Sequence, residues 1–237
     1  MKMIYYLILV PMVYLAFLVF IVGTIAKLAK IFGSPKNPSS TLQIYPQKNP
    51  LWFWALADSF LMPSVRRHKP LHWVFLMSFH LALLLLIIGH LELFEGFNVF
   101  QFIPHEIFLG KGFVGLVLSL ALLFFLFRRF ASPVRDLSVP EDYYLLILLF
   151  LTVLFGAQMD WARRWYNYGE LGPGDYKTYL TSLLYFTPQV PDAVYNTGHS
   201  FMLVLHVFFA NLFIMIFPFS KIMHSFLTIP MNKLRRG

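Results

Sequence analysis

The stretch Leu203–Ser225, LVLHVFFANLFIMIFPFSKIMHS, decides how this chain is read. It is almost uncharged and carries a histidine near each end, His206 and His224, 18 residues apart. On an α-helix at about 100° per residue those steps close five full turns, so both imidazoles leave one face. At about 1.5 Å per residue they lie roughly 27 Å apart, near the thickness of a bilayer's hydrocarbon core. The register predicts two metal centres, one at each leaflet.

Composition supports a membrane setting. The 237 residues are 58% hydrophobic with a mean hydropathy of +0.66, and only 13% are charged, against about 25% in an ordinary soluble domain. The first apolar run continues to about Ile25 without a small-residue cleavage site, so it is expected to be a retained span rather than a signal peptide. Cysteine is absent. This excludes disulfides, iron–sulfur ligation by these residues and covalent haem attachment through C-x-x-C-H. A net charge of +8 would suit nucleic acid in a soluble protein, but in a membrane protein it reports topology, and no nucleic-acid partner is expected.

Five runs are long enough to span: about Ile4–Ile25, Leu71–Leu91, Phe113–Phe127, Tyr143–Met159 and Phe201–Phe219. The third and fourth are short at their apolar cores and are expected to borrow flanking residues. The predicted fold is an all-α membrane protein, a bundle of five transmembrane helices forming a single domain over residues 1–237. Lys27–Pro70 holds seven Lys/Arg against one acid, Asp58; the third-to-fourth connection adds three and the tail four, making 14 of the 19 basic residues. The positive-inside rule puts these regions in the cytoplasm of a cell inner or plasma membrane, with the N-terminus outside and the C-terminus cytoplasmic. Within the 27–70 loop, GSPKNPSS at 33–40 reads as a proline-broken linker. LWFWALADSFLM at 51–62 is apolar but too short to cross, so it reads as an interfacial or re-entrant helix or a docking surface. The outer segment Asp160–Asn196 is rich in Tyr, Gly and Pro, with Trp161 and Trp165 at interface depth.

Four of the eight histidines lie at membrane depth. His80 and His90, ten residues apart on the second span, are separated by about 15 Å along a helix. The second span runs outward and the fifth inward, so His90 matches His206 at the outer level and His80 matches His224 at the inner one. Each pair comes from two different helices, as needed to hold a planar haem with one imidazole on each face of the iron. The competing reading is a helix-to-helix hydrogen bond or a proton relay at each position. Zinc fits less well, since no carboxylate or thiolate accompanies the pairs. Arg67 and Arg129 lie at the inner boundary, where haem propionates attract cations. Gly89 leaves room for a porphyrin edge or quinone ring, or for ordinary packing. His199 reads as an outer proton acceptor, a propionate partner or a helix-start residue, and His105 as a surface group.

The segment FPFSKIMH at 217–224 resembles the last helix of the gamma subunit of respiratory nitrate reductase, a membrane cytochrome b family. Gly89–His90 and FRRFASPVR at 127–135 add to the likeness, which covers about residues 71–228. The long loop and GHLELF at 89–94 look more like the related cytochromes b of sulfate-reducer membrane complexes, of the sulfite-reduction-associated and heterodisulfide-reductase-like types. The resemblance implies two haems b held by His80, His90, His206 and His224. It also implies a quinol-site lysine near the start of the third helix; that register lands on Gly110, one residue from Lys111, which is otherwise an interfacial snorkelling lysine.

The function so implied is that of a dihaem cytochrome b subunit of an anaerobic respiratory complex. Menaquinol or menaquinone would react beside the outer haem with Lys111 and His199 as its catalytic groups. The inner haem would exchange electrons with a cytoplasmic iron–sulfur partner of the heterodisulfide-reductase or ferredoxin kind, and further membrane or periplasmic cytochrome subunits would complete the complex. The alternative is a non-haem anchor or assembly subunit whose histidines only bridge helices. A small transporter or channel is a poorer reading, because the charged midplane residues of such proteins are missing.

Overall fold

Prolines punctuate this chain, and the helices start where they fall. In the computed structural model, which describes residues 2–34, 46, 48–94, 102–168, 171–196 and 198–235, α1 (Lys2–Leu9) stops just before Pro11, the first residue of α2 (Pro11–Phe32). Pro63, Pro70, Pro140 and Pro173 likewise open α4 (Pro63–His68), α5 (Pro70–Glu92), α8 (Pro140–Arg164) and α9 (Pro173–Leu184). A proline at the first helical position sacrifices an N–H that has no intrahelical partner anyway. The remaining helices are α3 (Leu51–Phe60), α6 (His105–Leu109), α7 (Phe113–Arg128), α10 (Ala193–Asn196), α11 (Phe201–Ile216) and α12 (His224–Arg235).

Among the described residues, five helical segments are long and apolar enough to cross a membrane: Lys2–Phe32, Pro70–Glu92, His105–Arg128, Pro140–Arg164 and Phe201–Phe219. All five expected spans are present, and the third and fourth do extend into flanking residues. The helix read over 51–62 exists as α3, closed by Leu61 and a left-handed Met62. The linker read at 33–40 falls largely outside the described residues. The segment at 160–196 contains two helices, α9 and α10, that its Gly and Pro content concealed.

The chain divides into two compact units, residues 1–17 with 78–214 and residues 18–77 with 215–237. In the first, α7 and α8 form a tight hairpin. A Cβ on Gly115 would stand 2.8 Å from Ala157 Cβ, so the two backbones approach through small residues. Leu118, Leu122, Val153 and Ala82 make one buried cluster, and Leu9, Val10, Tyr179, Leu183, Val194, Leu203 and Val204 are among the residues of another. The break at Pro11 loosens the helical ladder beside it. Ile8 O accepts from Asn211 Nδ2 at 3.1 Å and Leu9 O from the Tyr179 hydroxyl at 2.6 Å. Lipid offers no water for such carbonyls, so side chains from elsewhere in the unit must meet them. Burial pushes the Tyr179 phenol well above its usual range, keeping it a donor.

In the second unit α12 packs on α3, where buried Asn232 Nδ2 donates to Ser59 Oγ at 2.9 Å and Ala55 is fully enclosed. Gly23 admits Pro218, whose Cβ would lie 3.0 Å from a Cβ at that position. Here one expectation fails. The run from His206 to His224 is not a single helix: α11 ends at Ile216, a 3-10 turn covers Phe217–Phe219, Ser220 is extended, and a second 3-10 turn leads to His224 at the start of α12. Pro218 cannot donate to the ladder. Ser220 Oγ accepts from Ile222 N at 3.2 Å and starts the chain afresh. The five-turn count between the two histidines therefore does not apply.

Tyr179→Phe removes a buried donor from a main-chain carbonyl and is expected to cost about 1–2 kcal/mol. Thermal unfolding in detergent micelles checks this, with an unchanged midpoint speaking against the contact.

Candidate metal centre

His90 sits near the end of α5 and His206 near the start of α11, both in the first unit. Their rings lie nearly parallel, 23° apart, with centroids separated by 6.1 Å. His90 Nδ1 is 2.7 Å from Leu86 O, one turn back on its own helix, and His206 Nδ1 is 2.8 Å from Thr152 O of α8. A carbonyl only accepts, so each Nδ1 carries the hydrogen and each Nε2 is left with a bare lone pair. Two such imidazoles do not donate to one another; the bond between helices is the one His206 makes from α11 to Thr152 O of α8.

The separation leaves room for a metal between the rings, since two metal–nitrogen bonds of about 2 Å, plus roughly 1 Å from each nitrogen to its ring centre, would span about 6 Å. The Nδ1–H to carbonyl bond is also the usual outer contact that fixes the tautomer of a metal-ligating histidine. The donor set, two neutral imidazoles from two helices, suits the axial positions of a haem iron. Among the described residues no group of three or more His, Asp or Glu is gathered as a zinc-type site would require.

The sequence reading missed what seats His206. A Cβ on Gly156 would stand 2.8 Å from His206 Cε1 and 2.9 Å from its Nδ1, so only glycine lets α8 pass this ring. Thr152 and Gly156, one turn apart, thus form the seat together, one through its carbonyl and one by having no side chain. The signal was a glycine in the middle of an apolar span, where it costs about 1 kcal/mol against alanine and needs a reason.

The other expected site residues are placed as follows. His80, on α5 and exposed, packs edge-on to Phe79, with centroids 5.1 Å apart. His224 is exposed at the start of α12, its Nδ1 3.1 Å from Lys221 O. These two belong to different units. Gly89 is buried against Phe108, whose Cβ would lie 3.2 Å from a Cβ there, so the close approach it permits is helix packing. Lys111 is exposed within a turn in which Gly110, Lys111 and Gly112 all have positive φ, of 54°, 53° and 93°. Gly112 O accepts from Trp161 Nε1 at 2.9 Å. Arg129 is drawn into the start of α8, 3.1 Å from the buried Asp142 carboxylate and 3.1 Å from Ser138 Oγ. Arg67 is exposed on α4, and His199 is exposed with its ring 4.7 Å from that of Tyr168.

His105 departs from the surface reading. It is half-buried, with Nδ1 2.7 Å from Glu92 Oε2, a charge contact without an aligned hydrogen bond. The short helix α6 folds it back onto the end of α5. Asp160 accepts from Arg163 at 2.9 Å and Arg164 at 2.6 Å, and Arg164 reaches Glu106 at 3.3 Å, so the basic pair closing α8 is neutralised locally.

Residues 64–237 match the family model described as the nitrate reductase gamma subunit. The chain is similar to the Hdr-like menaquinol oxidoreductase cytochrome b-like subunit of Archaeoglobus fulgidus, 34% identical over 162 residues, covering 65% of this chain and 47% of that protein. It is also similar to the protein of that description from Archaeoglobus profundus, 27% identical over 164 residues, covering 64% of this chain and 46% of the relative. The match thus spans about half the length of these relatives.

Gly156→Val is expected to push the His206 ring off its carbonyl and abolish any metal or cofactor bound at this pair, as His206→Ala would. Visible absorption of the purified variants against the parent protein checks the seat; a parental spectrum from Gly156→Val would refute it.

Proposed function

The chain belongs to the nitrate reductase gamma subunit family, and from that premise we propose that it is a dihaem cytochrome b subunit of an anaerobic respiratory membrane complex. It exchanges electrons between menaquinol or menaquinone on the His90/His206 side and an iron–sulfur partner on the opposite side. The observation that carries the reading is the His90–His206 pair: near-parallel imidazoles with ring centres 6.1 Å apart, each with Nδ1 turned to a main-chain carbonyl, a pair that would hold a haem iron through its two Nε2 atoms. His80 and His224 are assigned as the second ligand pair on the family resemblance alone. When bound, each haem supplies a one-electron iron couple whose potential depends on burial and hydrogen bonding around its ligands.

The residues of this chain do the holding. Leu86 O and Thr152 O orient the two imidazoles and raise their basicity. Gly156 keeps α8 close to His206. The apolar spans keep water away. Lys111 and His199 are the candidate groups for menaquinol. Because the sequence has no cysteine, iron–sulfur clusters would be held by a partner subunit, of heterodisulfide-reductase or ferredoxin type, with further cytochrome subunits completing the complex. The excess of Lys/Arg in residues 27–70, 128–135 and 221–236 puts that partner on the cytoplasmic side, with the N-terminus outside. The relatives' description as menaquinol oxidoreductase subunits supports menaquinol as the quinone.

A dithionite-reduced minus oxidised spectrum is expected to show a b-type signal equivalent to about two haems per chain, bis-histidine ligation having no open axial position. His90→Ala should remove about half of that signal and leave the remainder. A parent protein without a b-type band would return the chain to an anchor role, and a variant with the full signal would refute the pairing.

A further inference from the structure

In the second unit, α3 and α12 are packed in the reverse of the order that water imposes. Between them lie small and polar groups: Ala55 is fully enclosed, and buried Asn232 is bonded to Ser59. Large apolar side chains are left outside. Trp52 and Phe60 of α3 are 62% and 64% exposed and Leu234 of α12 is 65% exposed, with Phe53 and Phe226 beside them in sequence and exposed as well. A helix pair surrounded by water turns its apolar stripes inward and its polar groups out. Small residues inside and aromatic rings outside are what an apolar surrounding selects.

Charge points to what that surrounding carries. The residues of this unit hold eleven Lys/Arg and a single acid, Asp58, so one carboxylate faces an excess of cations that it cannot balance. Several of these cations are tied to the ends of spans. Arg66 and Lys69 come just before Pro70, where the second candidate span starts, and Lys221 comes just after Phe219, where the fifth stops. Chain connectivity therefore holds them near head-group depth. The indoles of the unit are placed to match. Lys48 Nζ lies 4.2 Å from the centre of the Trp54 ring and the Arg66 guanidinium 5.7 Å from that of Trp73, while Trp73 Nε1 donates to Leu61 O at 2.7 Å. A cation laid over an indole suits the boundary between hydrocarbon and head groups. An acidic protein surface would match the charge but would set its own polar groups against the outward rings.

We propose that the α3–α12 pair lies in the membrane interface and gathers anionic phospholipid. The rings of Trp52 and Phe60 enter among the acyl chains, and Arg66, Lys69 and Lys233, all exposed, meet the phosphate groups. Helix α3 precedes the residues matched to the family model, so this face is an addition to what that match covers.

Tryptophan quenching by brominated lipid, on the full chain reconstituted in phosphatidylcholine vesicles, tests it. At equal mole fraction, brominated phosphatidylglycerol is expected to quench as though enriched about three- to tenfold over brominated phosphatidylcholine. Trp52→Phe with Trp54→Phe should remove most of that excess, which locates it at α3. Arg66→Gln, Lys69→Gln and Lys233→Gln together should bring the excess to within about twofold while quenching by brominated phosphatidylcholine is unchanged, which shows that the pair still sits folded in lipid. Salt at about 1 M, where charges are screened beyond about 3 Å, should do the same to the parent protein without any substitution. Equal quenching by the two lipids, or an excess that survives either set of substitutions, overturns the proposal. Failure of both lipids to quench Trp52 and Trp54 also overturns it and gives the face to an acidic protein partner.

Discussion

Two main-chain carbonyls, Leu86 O and Thr152 O, hold the hydrogens of the His90 and His206 rings, and the character of the site follows from that. His206 is half-buried and His90 exposed, and at membrane depth an imidazole is costly until both nitrogens are occupied. Each carbonyl takes one nitrogen and leaves the other as a lone pair, turning two polar side chains into the two halves of a ligand set. Thr152 lies on a third helix, so the geometry of the pair is set by three spans. Gly156 belongs to the same constraint, since any larger residue would drive the His206 ring from the carbonyl that orients it.

The demand that every polar group find an internal partner explains features far from the site. Pro11 interrupts the first span and leaves carbonyls for Asn211 and Tyr179 to meet. That ties the N-terminal helix to α11 and α9 within one unit. Pro218 interrupts the last span, where Ser220 repairs the chain by capping the next turn. The two basic residues at the end of α8 are held by Asp160 and Glu106, and Arg129 is held by Asp142 at its start. Charge at the ends of this span is thus balanced by neighbours before any cofactor is considered.

Much of this was legible from residue order. Long uncharged runs reveal spans whatever their packing, because the bilayer imposes length and polarity on each helix separately. His90 and His206 were readable as a pair because helical rise converts spacing into depth. His105 and Arg129 were less so: a short helix and a turn fold each of them back onto an acid, Glu92 or Asp142, that spacing alone does not select. Helices α9 and α10 lie in a segment that residue order marked only by its Tyr, Gly and Pro content.

The sequence by itself determined that the chain is a multi-pass membrane protein with five apolar segments long enough to span, because hydropathy and helical rise are properties of one segment at a time. Tertiary structure alone decided that Thr152 O turns the His206 ring and why residue 156 has no side chain. Those outcomes depend on residues 50 and more positions apart meeting within a few ångströms, and no local pattern encodes that meeting.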